Sequence, residues 1–159
     1  MSVSTKDFIS YMNDLVETCK DGEEGFRQAA EGTQRSDLKS VFQSCSRQRA
    51  QFASELQMEV ARLGGSPEKS GSMAGALHRG WMDIKSAVTG KDDHAILAEA
   101  ERGEDVAVKS YREALAKDLP SDIRSLVQKQ FEEIQASHNK IRGLRDAASK
   151  VSDMETVRR

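Results

Sequence analysis

Residues 73–89, MAGALHRGWMDIKSAVT, decide how the rest of the chain is arranged. The apolar residues of this stretch fall on one stripe at about 100° per residue, which predicts an amphipathic helix over 73–89. They are Met73, Leu77, Trp81, Ile84 and Val88. A helix of 17 residues spans roughly 25 Å at 1.5 Å per residue, which is most of the length of a helical bundle. The stretch can therefore carry the chain from one end of a bundle to the other.

Two long helices are predicted on each side of this crossover. Apolar residues recur at three- and four-residue spacing over four segments: 5–31, 37–63, 93–117 and 121–149. Gly32 and Gly64 are stop signals after the first two. A crossover between helices two and three gives an up-down-down-up order, which is typical of ferritin-like bundles. The predicted fold class is all-α: a ferritin-like four-helix bundle with a helical crossover between helices two and three.

The composition agrees with a helical domain and excludes several classes of protein. Aromatic residues make up 5% of the chain, with 11 glycines and two prolines, which argues against an all-β sandwich or barrel. No apolar run approaches the roughly 18 residues of a membrane span, and the N-terminus lacks the apolar segment of a signal peptide. A net charge of −2 excludes a globally basic nucleic-acid binder. With only two cysteines, we expect a cytoplasmic protein with reduced thiols. From the charge and the lack of a long apolar run, we expect no nucleic-acid or membrane partner.

We expect a single domain over 1–150, followed by a charged C-terminal tail, 151–159, that frays. Apolar residues such as Val16 and Leu126 remain on the outer faces of the helices, which favours a small homo-oligomer. Trp81 is expected to fasten the crossover to the bundle. The polar side of the 73–89 crossover helix could dock a protein partner.

Ionisable residues interrupt the apolar stripe of every long helix. In chain order they are Glu23, Arg49, Glu101, Glu104 and His138. Counted from the connecting turns, they lie within about seven residues of one another along the bundle axis, or roughly 10 Å. A charge in a protein core is costly unless it is paired or bound to metal. We therefore predict that these five side chains are buried and within reach of one another, and we call them the predicted polar cluster.

Three runs of the sequence resemble a known family: LVETCKDGEEGF at 15–26, GALHRGWMD at 75–83 and AERGED at 100–105. The family consists of uncharacterised bacterial four-helix-bundle proteins, grouped with the ferritin-like domains and carried as a domain of unknown function. The resemblance covers about residues 8–148. It implies a fold and no particular reaction.

Ferritin-like di-iron proteins hold their metals with one Glu from each of two helices and a Glu-x-x-His from each of the other two. On this resemblance Glu23 and Glu104 match the two single carboxylates, and Glu101 resembles the additional Glu of the rubrerythrin-like variant. His138 matches the histidine of the fourth helix.

The rest of that ligand set is missing. The position three before the matched histidine is Gln135 instead of Glu, and helix two offers Arg49 and Phe52 in place of Glu and His. A di-iron site needs bridging carboxylates and a histidine for each iron.

Two hypotheses follow for the predicted polar cluster. In the first, Arg49 pairs with the carboxylates, His138 is a hydrogen-bonding partner, and the protein is a non-enzymatic structural or stress-related bundle without a cofactor. In the second, four residues hold one divalent metal ion, iron, manganese or zinc, with oxidase or iron-handling activity: Glu23, Glu101, Glu104 and His138.

Overall fold

The computed structural model describes residues 4–68, 81 and 83–158, and their regular structure is entirely helical. The helices are α1 Thr5–Gly32, α2 Ser36–Arg62, α3 Ile84–Thr89, α4 Asp93–Leu115 and α5 Ser121–Arg158. The all-α class and the four long helices are thus confirmed. No helix in this part of the chain is both long enough and apolar enough to span a membrane.

Short polar side chains begin two of the long helices. The Ser4 hydroxyl accepts a hydrogen bond from the backbone N–H of Asp7, and the Asp7 carboxylate accepts one from Ser4 N in return. Asp92 caps α4 by accepting from Ala95 N at 3.2 Å. These bonds satisfy backbone donors that have no partner within the helix.

The last helix is longer than the sequence pattern indicates. We expected it to end at 149 and the tail to fray, but α5 continues to Arg158. The residues after 149 include neither glycine nor proline, so nothing in the sequence stops the helix there.

The predicted crossover helix is wrong at two of its described positions. Trp81 is not helical and Asp83 lies in a turn, so the helical part described is α3 alone. The reason is that Trp81 leaves the stripe it would share with Ile84 and enters the space between α1 and α4. The remainder of the predicted helix, 73–80 and 82, lies outside the described residues.

Contacts at both ends show that α1 and α4 are antiparallel. Thr33, just after α1, donates from Oγ1 to Asp93 Oδ1 at 2.6 Å, at the start of α4. At the opposite end the Lys117 ammonium lies 5.4 Å from the centre of the Tyr11 ring.

The helices α2 and α5 are antiparallel as well. Arg62 at the end of α2 pairs with Asp122 at the start of α5, at 2.7 Å. Because the short connections also make α1 antiparallel to α2, α1 and α5 point one way and α2 and α4 the other. The end of α2 and the start of α4 therefore lie at opposite ends of the four long helices.

A polar layer divides the apolar core into two clusters. One contains Met12, Leu15, Phe52, Leu56 and Ile123 among others; the second contains Phe26, Leu38, Phe42, Ile96 and Ile141 among others. Arg49 and Glu104 lie between them and are almost completely buried. The core is therefore two apolar layers joined through a charged one.

Trp81 fills a slot made by two glycines. A Cβ on Gly25 would lie 2.3 Å from indole Cδ2, and one on Gly103 would lie 2.2 Å from Cε2. The indole also meets the Phe26 ring edge-on, with centroids 5.0 Å apart. Trp81 thus fastens the crossover to α1 and α4, as expected, because both helices lack a side chain where the ring enters.

The two residues on which the homo-oligomer prediction was based do not support it. Val16 is fully buried and Leu126 is half-buried against the core. The homo-oligomer stays a prediction, and these two residues no longer support it.

Replacing Gly103 with alanine should destabilise the protein by about 1–3 kcal/mol, because the added methyl overlaps the rigid indole. The matched control is Gly143→Ala on α5, where an added Cβ meets nothing within 4 Å. That change should stabilise the helix by about 0.5–1 kcal/mol. Urea unfolding followed by the emission of Trp81, the single tryptophan, measures both. A Gly103→Ala variant with wild-type stability and unchanged emission would contradict the slot.

Candidate functional site

An ion pair between α2 and α4 lies at the centre of the polar layer. Arg49 Nη2 is 2.6 Å from Glu104 Oε1, and the two side chains are 2% and 0% exposed. Although Glu104 Oε1 is paired with Arg49 by charge, it accepts no well-aligned hydrogen bond from the guanidinium. Ser137 of α5 bridges the two side chains by hydrogen bonds. Its hydroxyl accepts from Arg49 Nη2 at 3.0 Å and donates to Glu104 Oε2 at 2.5 Å.

The surroundings of Arg49 keep it charged. Burial, the largest single influence, lowers the pKa of its guanidinium, but the attraction and hydrogen bonding of Glu104 together with the smaller influence of Cys19 and Cys45 outweigh it, and the pKa is raised. Its guanidinium carbon lies 5.4 Å from the centre of the Phe26 ring, a favourable arrangement for a cation and an aromatic face. Its Cγ would lie 3.5 Å from a Cβ on Gly22, so the side chain runs directly along the α1 backbone.

Two other members of the predicted polar cluster lie nearer the surface, between α4 and α5. His138 Nε2 is 2.5 Å from Asp105 Oδ1, and Glu101 Oε2 is 2.5 Å from Arg145 Nη1. Ligand atoms of Glu101, Asp105 and His138 all lie within 4.8 Å of one another, the one group of this kind among the described residues. We call these three residues the α4–α5 triad.

Glu23 departs from the expectation of burial. Its side chain is 33% exposed and pairs with Lys20 of its own helix at 3.3 Å. Ser46 of α2 reaches the same level but donates to the backbone carbonyl of Glu23. The five predicted side chains are therefore not one buried cluster: Arg49 and Glu104 form the core pair, Glu101 and His138 join the triad, and Glu23 faces the rim.

A family model described as a domain of unknown function, DUF2383, matches residues 7–117. The chain belongs to this family. The match covers α1 to α4 and stops before α5, which is shorter than the 8–148 implied by the resemblance. No curated protein matches the sequence significantly.

The family match covers the core ion pair but not the residues of α5 that contact the polar side chains. Arg49 and Glu104 lie within the matched residues, whereas Ser137, His138 and Arg145 lie beyond them. The matched residues thus contain the core ion pair itself, and α5 adds Ser137, which hydrogen-bonds to both of its members.

A second buried polar group crosses the core of this DUF2383 domain. The Tyr111 hydroxyl donates to Gln130 Oε1 at 2.6 Å, so the Cys19 thiol, 3.2 Å away, must donate to the tyrosine oxygen. Gln130 Nε2 in turn donates to Glu55 Oε1 at 3.1 Å, near the surface. Burial raises the pKa of Tyr111 well above its usual range. The group is a line of hydrogen bonds from the buried Cys19 thiol to the Glu55 carboxylate near the surface.

Sequence reasoning did not single out Gln130, Asp105, Ser137 and Arg145. Gln130 had a signal, because it stands between Val127 and Ile134 on the buried stripe. Asp105 follows Glu101 by four residues, a spacing that places both on one side of α4. Ser137 had the same signal as Gln130, because it stands between Ile134 and Ile141 on that stripe. Arg145 had none, because an arginine is ordinary on a partly exposed helix face.

Both cysteines of the DUF2383 domain should be unreactive in the native protein. They are free and buried, and burial raises the pKa of each thiol to about 11. A thiol pKa raised by about two units lowers the reactive thiolate about a hundredfold at a given pH below both values.

Aromatic disulfide reagents at mildly alkaline pH should therefore react orders of magnitude more slowly with the folded chain than with the denatured chain. The variants Cys19→Ala and Cys45→Ala assign the two rates. A thiol that reacts at the denatured rate under native conditions would contradict its burial.

Proposed function

We propose that this protein is a ferritin-like four-helix bundle with a non-enzymatic, structural or stress-related role in the cytoplasm. The observation that supports it best is the buried pair of Arg49 and Glu104. On the family resemblance, Glu104 matches a metal-binding carboxylate, and here an arginine is its partner. The guanidinium supplies the positive charge that a metal ion would supply in a di-iron protein.

The pair has a structural consequence that suits this role. It lies between the two apolar clusters and brings together side chains of α2, α4 and, through Ser137, α5. A buried ion pair adds little net stability compared with apolar packing, but a wrong register would leave both charges unpaired. We infer that the pair selects one register of these three helices.

The geometry does not favour the four-residue metal set of the second hypothesis. Glu104 is occupied by Arg49, and Glu23 is partly exposed and paired with Lys20. Only Glu101 and His138 of that set belong to one group of candidate ligand atoms.

Arg49→Leu should lower the free energy of unfolding by about 3–5 kcal/mol at neutral pH, because Glu104 then stays buried without a countercharge. The loss should shrink at mildly acid pH, since protonation removes the buried charge. A double variant with Glu104→Leu as well should regain most of the loss. Urea unfolding at both pH values measures all three proteins.

The matched control is Arg27→Leu, which removes exposed ion pairs with Glu24 and Glu31 and should cost less than about 1 kcal/mol. Every measurement is repeated with chelator. The ion-pair role requires that the cost of Arg49→Leu is the same with and without chelator. An Arg49→Leu variant as stable as wild type, at both pH values, would overturn the proposal.

A further inference from the structure

An open cleft of about 440 Å³ lies between α4 and α5. Its volume is within the range of about 300–1,000 Å³ that is usual for small-molecule sites. Five of the side chains that line it carry hydrogen-bond donors, and they come from both walls. They are Lys109 and Arg112 on α4, and Gln135, Asn139 and Arg142 on α5. We call these five residues the cleft donors.

None of the cleft donors has an acceptor among the residues that the structure describes. Arg112 contacts an aromatic ring instead, since its guanidinium carbon lies 5.8 Å from the centre of the Phe131 ring. The arrangement differs on other parts of the surface, where five exposed or half-buried arginines pair with carboxylates. They are Arg27, Arg35, Arg62, Arg102 and Arg145. The cleft thus gathers three cations and two amides whose donors are unused.

The acidic residues that line the cleft do not supply the missing acceptors. Asp105 Oδ1 lies 2.5 Å from His138 Nε2 and is engaged there. Glu113 also lines a second cleft, between α1 and α4, so it lies on the ridge that the two clefts share. The donors of the two walls therefore face each other across a space with one unpaired carboxylate at its rim.

We propose that the cleft donors bind a small phosphate anion, inorganic phosphate or pyrophosphate. The planar fork of an arginine matches pairs of phosphate oxygens, and a lysine adds a point charge. A phosphate group offers more acceptor oxygens than a carboxylate, so donors on both walls can bind it together. The contact with Phe131 holds Arg112 in place, which reduces the side-chain entropy lost on binding. Arg49 and Glu104 take no part, so the site does not depend on the structural role proposed above.

Two-dimensional NMR of the full, isotope-labelled chain in a phosphate-free buffer tests the site. The probes are inorganic phosphate, pyrophosphate and, at equal ionic strength, acetate. At least one of the two phosphate anions should cause saturable shifts of the side-chain amide resonances of Gln135 and Asn139. Acetate should shift them much less. Added sodium chloride should weaken the binding, because salt screens exposed charges.

Variants of the cleft donors assign the binding. Lys109→Gln and Arg142→Gln should each weaken it about tenfold, because each removes a charge-assisted hydrogen bond to the anion. Arg142→Lys should lose less than Arg142→Gln, since it keeps the charge but not the fork. Glu113→Gln should bind at least as tightly as wild type, because the rim loses a negative charge.

The matched control is Arg47→Gln on α2. Arg47 is exposed and, like the cleft donors, has no carboxylate partner in the described part of the chain, but it lies outside the cleft. Its replacement removes the same charge and should leave the affinity unchanged. Thermal melting without ligand verifies that each variant folds.

The proposal is overturned if neither phosphate nor pyrophosphate causes saturable shifts at the cleft, or if acetate causes equal ones. Equal losses in Arg47→Gln and in the two glutamine variants of the cleft would show attraction to overall charge and overturn it too. None of these results bears on the core ion pair, which Arg49→Leu tests separately.

Discussion

The pairing of Arg49 with Glu104 is the constraint on which the arrangement of the long helices depends. Each charge is almost completely removed from water, so either one alone would be costly to bury. The guanidinium can reach the carboxylate only if α2 and α4 hold one register, and Ser137 extends the same requirement to α5. The apolar clusters on each side supply the driving force for folding, and the ion pair limits the number of ways they can combine.

The attachment of Trp81 depends on a different constraint, the absence of side chains at two positions on α1 and α4. Gly25 and Gly103 leave a slot between α1 and α4, and the flat ring of Trp81 occupies it. Glycine inside a helix costs up to about 1 kcal/mol relative to alanine. In return, the slot buries an indole against two helices.

Much of the fold was predictable because helices leave a local signal. Apolar spacing gave α1, α2 and α4 to within two residues at each end, and the long connection indicated the up-down-down-up order. The wrong helix prediction also concerns a single short segment. The helix predicted over 73–89 does not include Trp81, because burial of that ring between α1 and α4 outweighs the continuity of the stripe.

The sequence by itself determined the helices, their order and the presence of Glu101, Arg49 and Glu104 on inward faces, since periodicity is a property of each helix alone. Tertiary structure decided which charge meets which. Glu23 and Glu104 each interrupt an apolar stripe, but the packing of the helices buries Glu104 and leaves Glu23 partly exposed. Asp105 joined the triad because α5 happens to present His138 opposite it. Such partnerships depend on the packing of two helices, which no single stripe encodes.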